Sequence, residues 1–382
     1  MPTFPVYPEE LTPDFLTDVM NELHPGTTVQ SAQLVEAKGF GENNVSTSAI
    51  ATLDLQYAQA AGNLPERVVV KMLKTDDWPT ADIAGYTSSG AKGVQQRPPR
   101  YGLYENEVNF YKHIGKEITT EVPLALAARF DHAASRYVLI LEDLGKQGAH
   151  FPCQFDEASI EETQKLLEAL AKLHAAYWQS ERFHSDLSWV QTPIVGNVSE
   201  TIRGVVREGV RDELSRYKFK REILGRIQMT EEQLFSGLDV LQKHQATLPG
   251  TLLHGDAHFG NSYRLPDGRA GFYDWQLCAR GWCVHDVTYL IVTTLSIEQR
   301  RTHERELLRF YREKLLSHGV SNAPDEDSLW LEHRRAIHWC VTIGWMPCPP
   351  AAYGWELVVI ANNRTSAAYE DLETTKALDD LR

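Results

Sequence analysis

The chain has 382 residues, more than one typical domain, and its 42% hydrophobic and 24% charged content suits a soluble globular protein of two lobes or domains. A net charge of −14, from 38 Lys and Arg against 52 Asp and Glu, argues against a nucleic-acid surface and mildly favours a cationic or neutral small substrate. No apolar run approaches the roughly 18 residues of a membrane span, and the start, MPTFPVYPEELTPDF, lacks the basic and apolar segments of a secretory signal.

Thr12-Pro13-Asp14 offers an N-cap, a proline at the first helical position and a first-turn acid. A helix is therefore expected from there to His24-Pro25-Gly26, with Phe15, Val19 and Leu23 facing the body. A β-rich region follows. Strands are expected over 29–37 and 46–57, flanking Gly39-Phe40-Gly41-Glu42-Asn43-Asn44. Glycines there let backbone N–H groups approach a phosphate, and a plain hairpin turn accounts for this G-x-G equally well. Residues 67–73, RVVVKML, form a buried strand with one lysine, Lys71, among valines. A buried ammonium needs a partner. Over 104–116, Glu107, Phe110, Tyr111 and Ile114 recur on one helical face, so Glu107 is the expected partner while Glu105 points elsewhere. The intervening residues, 75–100, are rich in turn formers, and a loop of that length usually has a function.

Two further strands, 123–130 and 136–141, are expected, the second running into Glu142-Asp143-Leu144-Gly145. After Gly145 the composition turns helical, which divides a first lobe, 1–143, from a second, 144–382. Ser159 and Glu162 make a capping box, and Leu166, Leu170, Leu173 and Tyr177 continue that helix's apolar stripe. His174 on it reads as a packed core histidine rather than a ligand. Helical patterns also cover 199–220 and the segment from Thr230, where Thr230 and Gln233 form a second capping box above Phe235, Leu238 and Leu241.

The stretch 252–275, LLHGDAHFGNSYRLPDGRAGFYDW, organises the rest. Asp267-Gly268 between two short strand-like runs signals a hairpin. Its open end would bring Asn261 beside Asp274, with Asp256 on the loop just before. One amide oxygen and one carboxylate form an all-oxygen Mg²⁺ site next to a candidate general base, and these are parts that phosphoryl transfer needs. A rival reading takes His254 and His258 as a zinc pair in a metal-dependent hydrolase. That spacing chelates on a helix, whereas Gly255 and Gly260 bracket this pair in a loop with no third histidine nearby.

Past Trp275-Gln276, Asp286 is placed to cap an apolar helix bearing Val287, Leu290, Ile291 and Leu295. Ser296 starts another capped helix that ends near His318-Gly319. Residues 328–373 read as helical and rich in aromatics, including Trp330, Trp339, Trp345, Tyr353 and Trp355. Helix packing or the holding of a ring system or an ammonium both account for them. The five cysteines, Cys153, Cys278, Cys283, Cys340 and Cys348, contain no C-x-x-C pair and read as free thiols of a reducing cytoplasm.

HGDAHFGN followed by YDWQ resembles the catalytic loop and metal aspartate of the aminoglycoside phosphotransferase and choline kinase superfamily. With EDLG upstream and DWQ in place of DFG, it looks most like the ecdysteroid-kinase-like branch. The resemblance covers roughly residues 30–300 and implies an α+β, protein-kinase-like two-lobe fold, with a β-rich first lobe and a mainly helical second one. It implies an ATP- and Mg²⁺-dependent kinase acting on a hydroxyl of a small acceptor, whether aminoglycoside-, choline- or sterol-like. Asp256 would be the base, with His254 holding the catalytic loop and His258 supporting it. Asn261 and Asp274 would bind the metal. Gly39 and Gly41 would belong to the nucleotide loop, which lacks the third glycine of G-x-G-x-x-G. Lys71 and Glu107 would position the phosphates, Glu142–Leu144 would receive the adenine by main-chain groups, and Asp286 would anchor the loop's backbone. A protein kinase proper is disfavoured, because no His-Arg-Asp, Asp-Phe-Gly or Ala-Pro-Glu set appears. A non-catalytic nucleotide-binding protein is the alternative from another class.

Overall fold

The computed structural model describes residues 4–38, 48–58, 64–73, 101–133, 136–153 and 156–381. Gly39 and Gly41 of the expected nucleotide loop, and the 75–100 loop, lie outside the described residues. Two compact units are present: Met1–Glu117 with Val122–His150, and Ile118–Glu121 with Phe151–Arg382.

In the first unit, Thr12 caps helix α1 (Pro13–Met20) by accepting the Phe15 N–H at 3.3 Å. The helix stops at Met20, short of the expected His24, because Asn21 ties down the departing chain. Its amide donates to Thr17 O (2.6 Å) and Thr27 O (2.7 Å), and its Oδ1 accepts the Gly26 N–H at 2.7 Å. Leu23 is consequently only half-buried.

Five antiparallel strands follow: β1 (Val29–Lys38), β2 (Ala49–Tyr57), β3 (Arg67–Met72), β4 (Ala125–Asp131) and β5 (Arg136–Glu142), in the order β1-β2-β3-β5-β4. The period-two pattern puts Ala51, Leu53 and Leu55 of β2 and Val68, Val70 and Met72 of β3 into one core with Phe15, Leu16, Val19 and Met20 of α1. Lys71 alternates with those core residues on the middle strand of the sheet, so it is no edge lysine. Helix α2 (Tyr101–Asn109) runs into a π-helical turn, Phe110–Ile114, and together they bury Glu107, Phe110, Tyr111 and Ile114. Glu105 lies off that face, 3.4 Å from His132.

The second unit is mainly helical. Capping boxes form at Ser159 for α3 (Ile160–Ala176), at Thr230 for a helix named below, and at Ser296 for another. The helical run expected over 199–220 is instead α4 (Asn197–Thr201), a π-helical turn Ile202–Val206, α5 (Arg207–Arg216) and α6 (Lys218–Arg226). It breaks at Tyr217, whose backbone is extended. The break lets Lys220 fold back onto Glu213, and both side chains are fully buried. Thr230 caps α7 (Glu231–Gln245).

Strand β6 (Gly250–Leu253) leads into the HGDAHFGN segment, β7 (Ser262–Arg264) and β8 (Ala270–Phe272) form the expected hairpin, and β9 (Ala279–Trp282) returns to pair with β6. Gly268 closes the hairpin turn at φ +91°. Next come α8 (Val284–Thr294), α9 (Ile297–Ser317), which Ser296 caps, and α10 (Glu326–Trp339). The chain ends with a π-helical segment Cys340–Trp345, α11 (Pro350–Tyr353), α12 (Trp355–Asp371) and α13 (Thr374–Asp379). Every residue of α8 is buried, among α3, α9, α10 and α12, the apolar Val287, Leu290 and Ile291 together with the polar His285 and Asp286. Among the described residues no helix is long and apolar enough to cross a membrane, and all five cysteines are free.

Candidate active site

The second unit assembles most of the expected site on one β-framework. β6 delivers His254-Gly255-Asp256, the chain turns through a 3₁₀ turn at Phe259–Asn261, and the β7–β8 hairpin returns to Asp274. The Tyr273 N–H donates to Asn261 O at 3.0 Å, so Asn261 and Asp274 flank the hairpin's open end as expected. Gly271 lets a third segment close on this hairpin, for a Cβ there would lie 2.3 Å from Glu121 O. Asp274 is held at φ +65°, an uncommon conformation that Asp tolerates better than most residues. Such left-handed residues concentrate at functional sites.

Asn261 turns its amide hydrogens on Asp256, donating to the main-chain oxygen at 3.0 Å and to Oδ2 at 3.1 Å. Its Oδ1 is left as an acceptor on the side away from those bonds. The Asp256 carboxyl is pushed up to about 7, first by removal from water and further by the charges of Asp274 and Asp286, against the influence of His254 and Asn261. Its side chain nonetheless remains 31% exposed, so the carboxylate sits in a protein-lined recess that solvent enters.

His254 is fully buried and works in two directions. Its Nδ1 accepts the Asp256 N–H at 3.2 Å, and Nε2 donates to Tyr273 O at 3.0 Å. One neutral tautomer satisfies both bonds, and burial keeps the ring's pKa below its ordinary value. The ring thereby joins the Asp256 loop to the residue preceding Asp274. His258 stands 3.7 Å from Asp256, but burial drops its pKa to about 4, so the contact is no ion pair near neutral pH. Both His254 nitrogens are committed to the loop, and among the described residues no group of three His, Cys, Asp or Glu side chains could hold a metal. The zinc-hydrolase reading of HGDAH therefore has no geometric basis.

Asp286 meets one of its two expected roles, anchoring the loop's backbone, and not the other, capping α8. It lies in the first turn of α8, one turn inside the position of a cap. Its carboxylate accepts the N–H groups of His254 (2.6 Å) and Gly255 (2.9 Å) instead. His174 Nε2 is 3.3 Å from the same carboxylate, and Nδ1 is 2.7 Å from the Tyr311 hydroxyl. These partners outweigh burial and hold Asp286 below the usual carboxylate range. His174 is thus a core histidine, as expected, with a place in the loop's support. Gly255 fits this crowding only as glycine: φ is +84°, and a Cβ would meet Leu277 O at 2.0 Å.

The other expected residues belong to the first unit. Lys71 Nζ donates to both oxygens of the buried Glu107 carboxylate at 2.7 Å. Glu142 ends β5, and its carboxylate accepts the Leu124 N–H at 2.7 Å and a Gln147 amide hydrogen at 2.5 Å. Leu144 is buried and opens a 3₁₀ turn, Leu144–Gln147, capped by Asp143. The side chains of Glu142 and Leu144 are therefore engaged within their own unit.

Two further residues, Tyr289 and Lys220, carry no signal in the sequence, and Trp345 is one of the aromatics expected over 328–373. Tyr289 lies close enough that burial and the Asp256 charge raise its phenol well above the usual range. Trp345 packs on His258 at 6.4 Å between ring centres, and Tyr289 does so at 6.1 Å. Lys220, remote in sequence, donates to Met346 O (2.8 Å) and Cys348 O (2.6 Å) directly after Trp345. Trp345 ends a π-helical segment, Cys340–Trp345, and such segments are frequent at functional sites.

The model of the ecdysteroid kinase-like family matches residues 91–320, more than half of the chain. A solved choline kinase from Cryptosporidium parvum Iowa II is similar with a TM-score of 0.53 at 13% identity, covering 96% of each chain. An ethanolamine kinase from Plasmodium vivax is similar with a TM-score of 0.52 at 10% identity, covering 95% of this chain and 87% of that one. No curated protein matches by sequence. At these identities the structural likeness is one of fold, and the fold is the protein-kinase-like fold that small-molecule kinases use. The family match covers more than half of the chain and spans residues 252–275, so the chain belongs to the ecdysteroid kinase-like family.

Proposed function

We propose that this protein is an ATP- and Mg²⁺-dependent kinase that transfers the γ-phosphoryl group to a hydroxyl of a small acceptor. The observation that carries the reading is the convergence of Asp256, Asn261 and Asp274 at one end of a hairpin, with His254 bridging their two backbones. Asp256 Oδ accepts the acceptor's hydroxyl proton as the new O–P bond forms and the bond from the γ-phosphorus to the bridging oxygen breaks, releasing ADP. A carboxyl raised to about 7 is matched to that task near neutral pH. Because phosphoryl transfer asks little early proton removal, its larger contribution is to orient the hydroxyl.

Magnesium fits the residues present. The pair is one carboxylate and one amide oxygen, and Asn261 keeps Oδ1 available by spending its hydrogens on Asp256. Asn261 and Asp274 would hold the ion, which when bound neutralises charge on the phosphates. Lys71, fixed by Glu107, supplies the ammonium for the phosphates. Main-chain groups of Glu142–Leu144 receive the adenine. His258, Tyr289 and Trp345 give the acceptor an uncharged, largely aromatic wall beside the base.

Transfer of ³²P from γ-labelled ATP with Mg²⁺, across a panel of small alcohols, amino sugars, choline-like amines and sterols, tests this. A labelled product is expected with wild type and at least about 100-fold less with Asp256→Asn. Tight Mg-ATP binding without transfer to any acceptor would favour a non-catalytic nucleotide-binding protein.

A further inference from the structure

Outside the proposed catalytic residues, the second unit has a hollow of about 410 Å³ where α9, Trp330 of α10 and the end of α12 meet. That volume suits a small metabolite. Arg301, Arg305, Glu304, Asp371 and Trp330 line it. Its charges are unevenly spent. Arg300 pairs with Glu304 at 2.8 Å and with Asp371, and Arg301 grips Asp371 at 2.7 and 2.9 Å. Both carboxylates are held below their usual range: Asp371 against partial burial by Arg301 and Arg300, Glu304 against burial by His333 and Arg300. Each acid is therefore ionised and already neutralised.

Arg305 is the unspent cation. Its guanidinium lies 3.7 Å over the Trp330 ring, and among the described residues it has no carboxylate or carbonyl partner. Stacking occupies the flat face of a guanidinium and leaves the in-plane N–H fork, the geometry that receives carboxylate or phosphate oxygens in pairs. Trp330 is itself stacked with His333 at 5.8 Å between ring centres, which fixes the ring that carries Arg305. We infer that this hollow is a second binding site, for a small oxyanion, with Arg305 on Trp330 as its recognition element. The ligand class is a phosphate- or carboxylate-bearing small molecule, and the site works independently of the proposed transfer reaction.

Isothermal titration calorimetry of the full chain with inorganic phosphate and, separately, citrate at constant ionic strength tests it. Wild type is expected to bind at least one of them saturably, one per chain, and the stronger of the two assigns the phosphate or the carboxylate source. Arg305→Gln should weaken that binding by about tenfold or more. Arg309→Gln, which removes a comparable exposed charge already paired with Glu326, should leave it unchanged. Absence of saturable binding by wild type, binding that survives Arg305→Gln, or equal loss in both variants overturns the site.

Discussion

Asp256 puts a titrating group where the proposed chemistry needs one, and that has a consequence for stability. Its folded pKa, about 7, exceeds the ordinary 3.8 that the unfolded chain recovers. Between about pH 4 and 7 the folded chain therefore retains a proton that the unfolded chain has released, and stability falls as pH rises through that window. Solvent reaches about a third of the side chain and moderates the penalty to about 1–2 kcal/mol. Urea unfolding in EDTA, at pH 5 and pH 8, should show Asp256→Asn gaining by that amount relative to wild type at the higher pH. A pH-independent difference would mean that the carboxyl is not raised. One residue earlier, Gly255→Ala brings a strained φ and a collision with Leu277 O. A thermal-unfolding loss of about 1–3 kcal/mol is expected, with turnover falling because Asp256 shifts with its neighbour. An alanine variant of unchanged stability and activity would contradict the geometry.

Elements that follow from local chemistry are legible in the sequence. The Asp267-Gly268 turn, the three capping boxes and the proline-led α1 each lie within a few residues of the signal that specifies them. Lys71 and Glu107 could be matched across 36 residues because a lysine among valines demands an acid, and helical periodicity selected which one. What stayed hidden depends on long-range pairing without a period. Asp286 holds the His254–Gly255 backbone as the resemblance implied, but it caps no helix, and its support by His174 and Tyr311 had no signal in the sequence. The expected 199–220 helix breaks at Tyr217, and beyond the break Lys220 finds carbonyls 126 and 128 residues away. That ammonium clamps the turn after Trp345, with Glu213 as its counter-charge. Lys220→Met should cost about 3–5 kcal/mol, since it strands a buried carboxylate and two carbonyls. The double variant Lys220→Met with Glu213→Leu should recover part of that loss in chemical denaturation. A double variant no more stable than the single one would show that the carbonyl bonds, not the stranded acid, dominate.

At the scale of the whole molecule, the proposed reaction draws on residues of both units: Lys71 and Glu107 in the β-rich one, Asp256, Asn261 and Asp274 in the helical one. A ligand that binds only the folded chain raises its stability in proportion to occupancy, so Mg-ATP at about 100 times its Kd should add roughly 2.7 kcal/mol. The two ends of the proposed machinery can then be separated without knowing the acceptor. Asp274→Ala removes a carboxylate but leaves the Lys71–Glu107 pair intact, so stabilisation by ATP with EDTA should persist while the increment from Mg²⁺ disappears. Lys71→Met strands the buried Glu107 and lowers the baseline stability, and it should reduce stabilisation by ATP whether or not Mg²⁺ is present. Differential scanning calorimetry of wild type and both variants, with ATP plus Mg²⁺ and with ATP plus EDTA, checks this. If Asp274→Ala retained the full Mg²⁺ increment, Asp274 would not be the metal ligand. If Lys71→Met kept the whole ATP shift, the lysine–glutamate pair would be a structural feature of the sheet, and the nucleotide would have to be held by other groups.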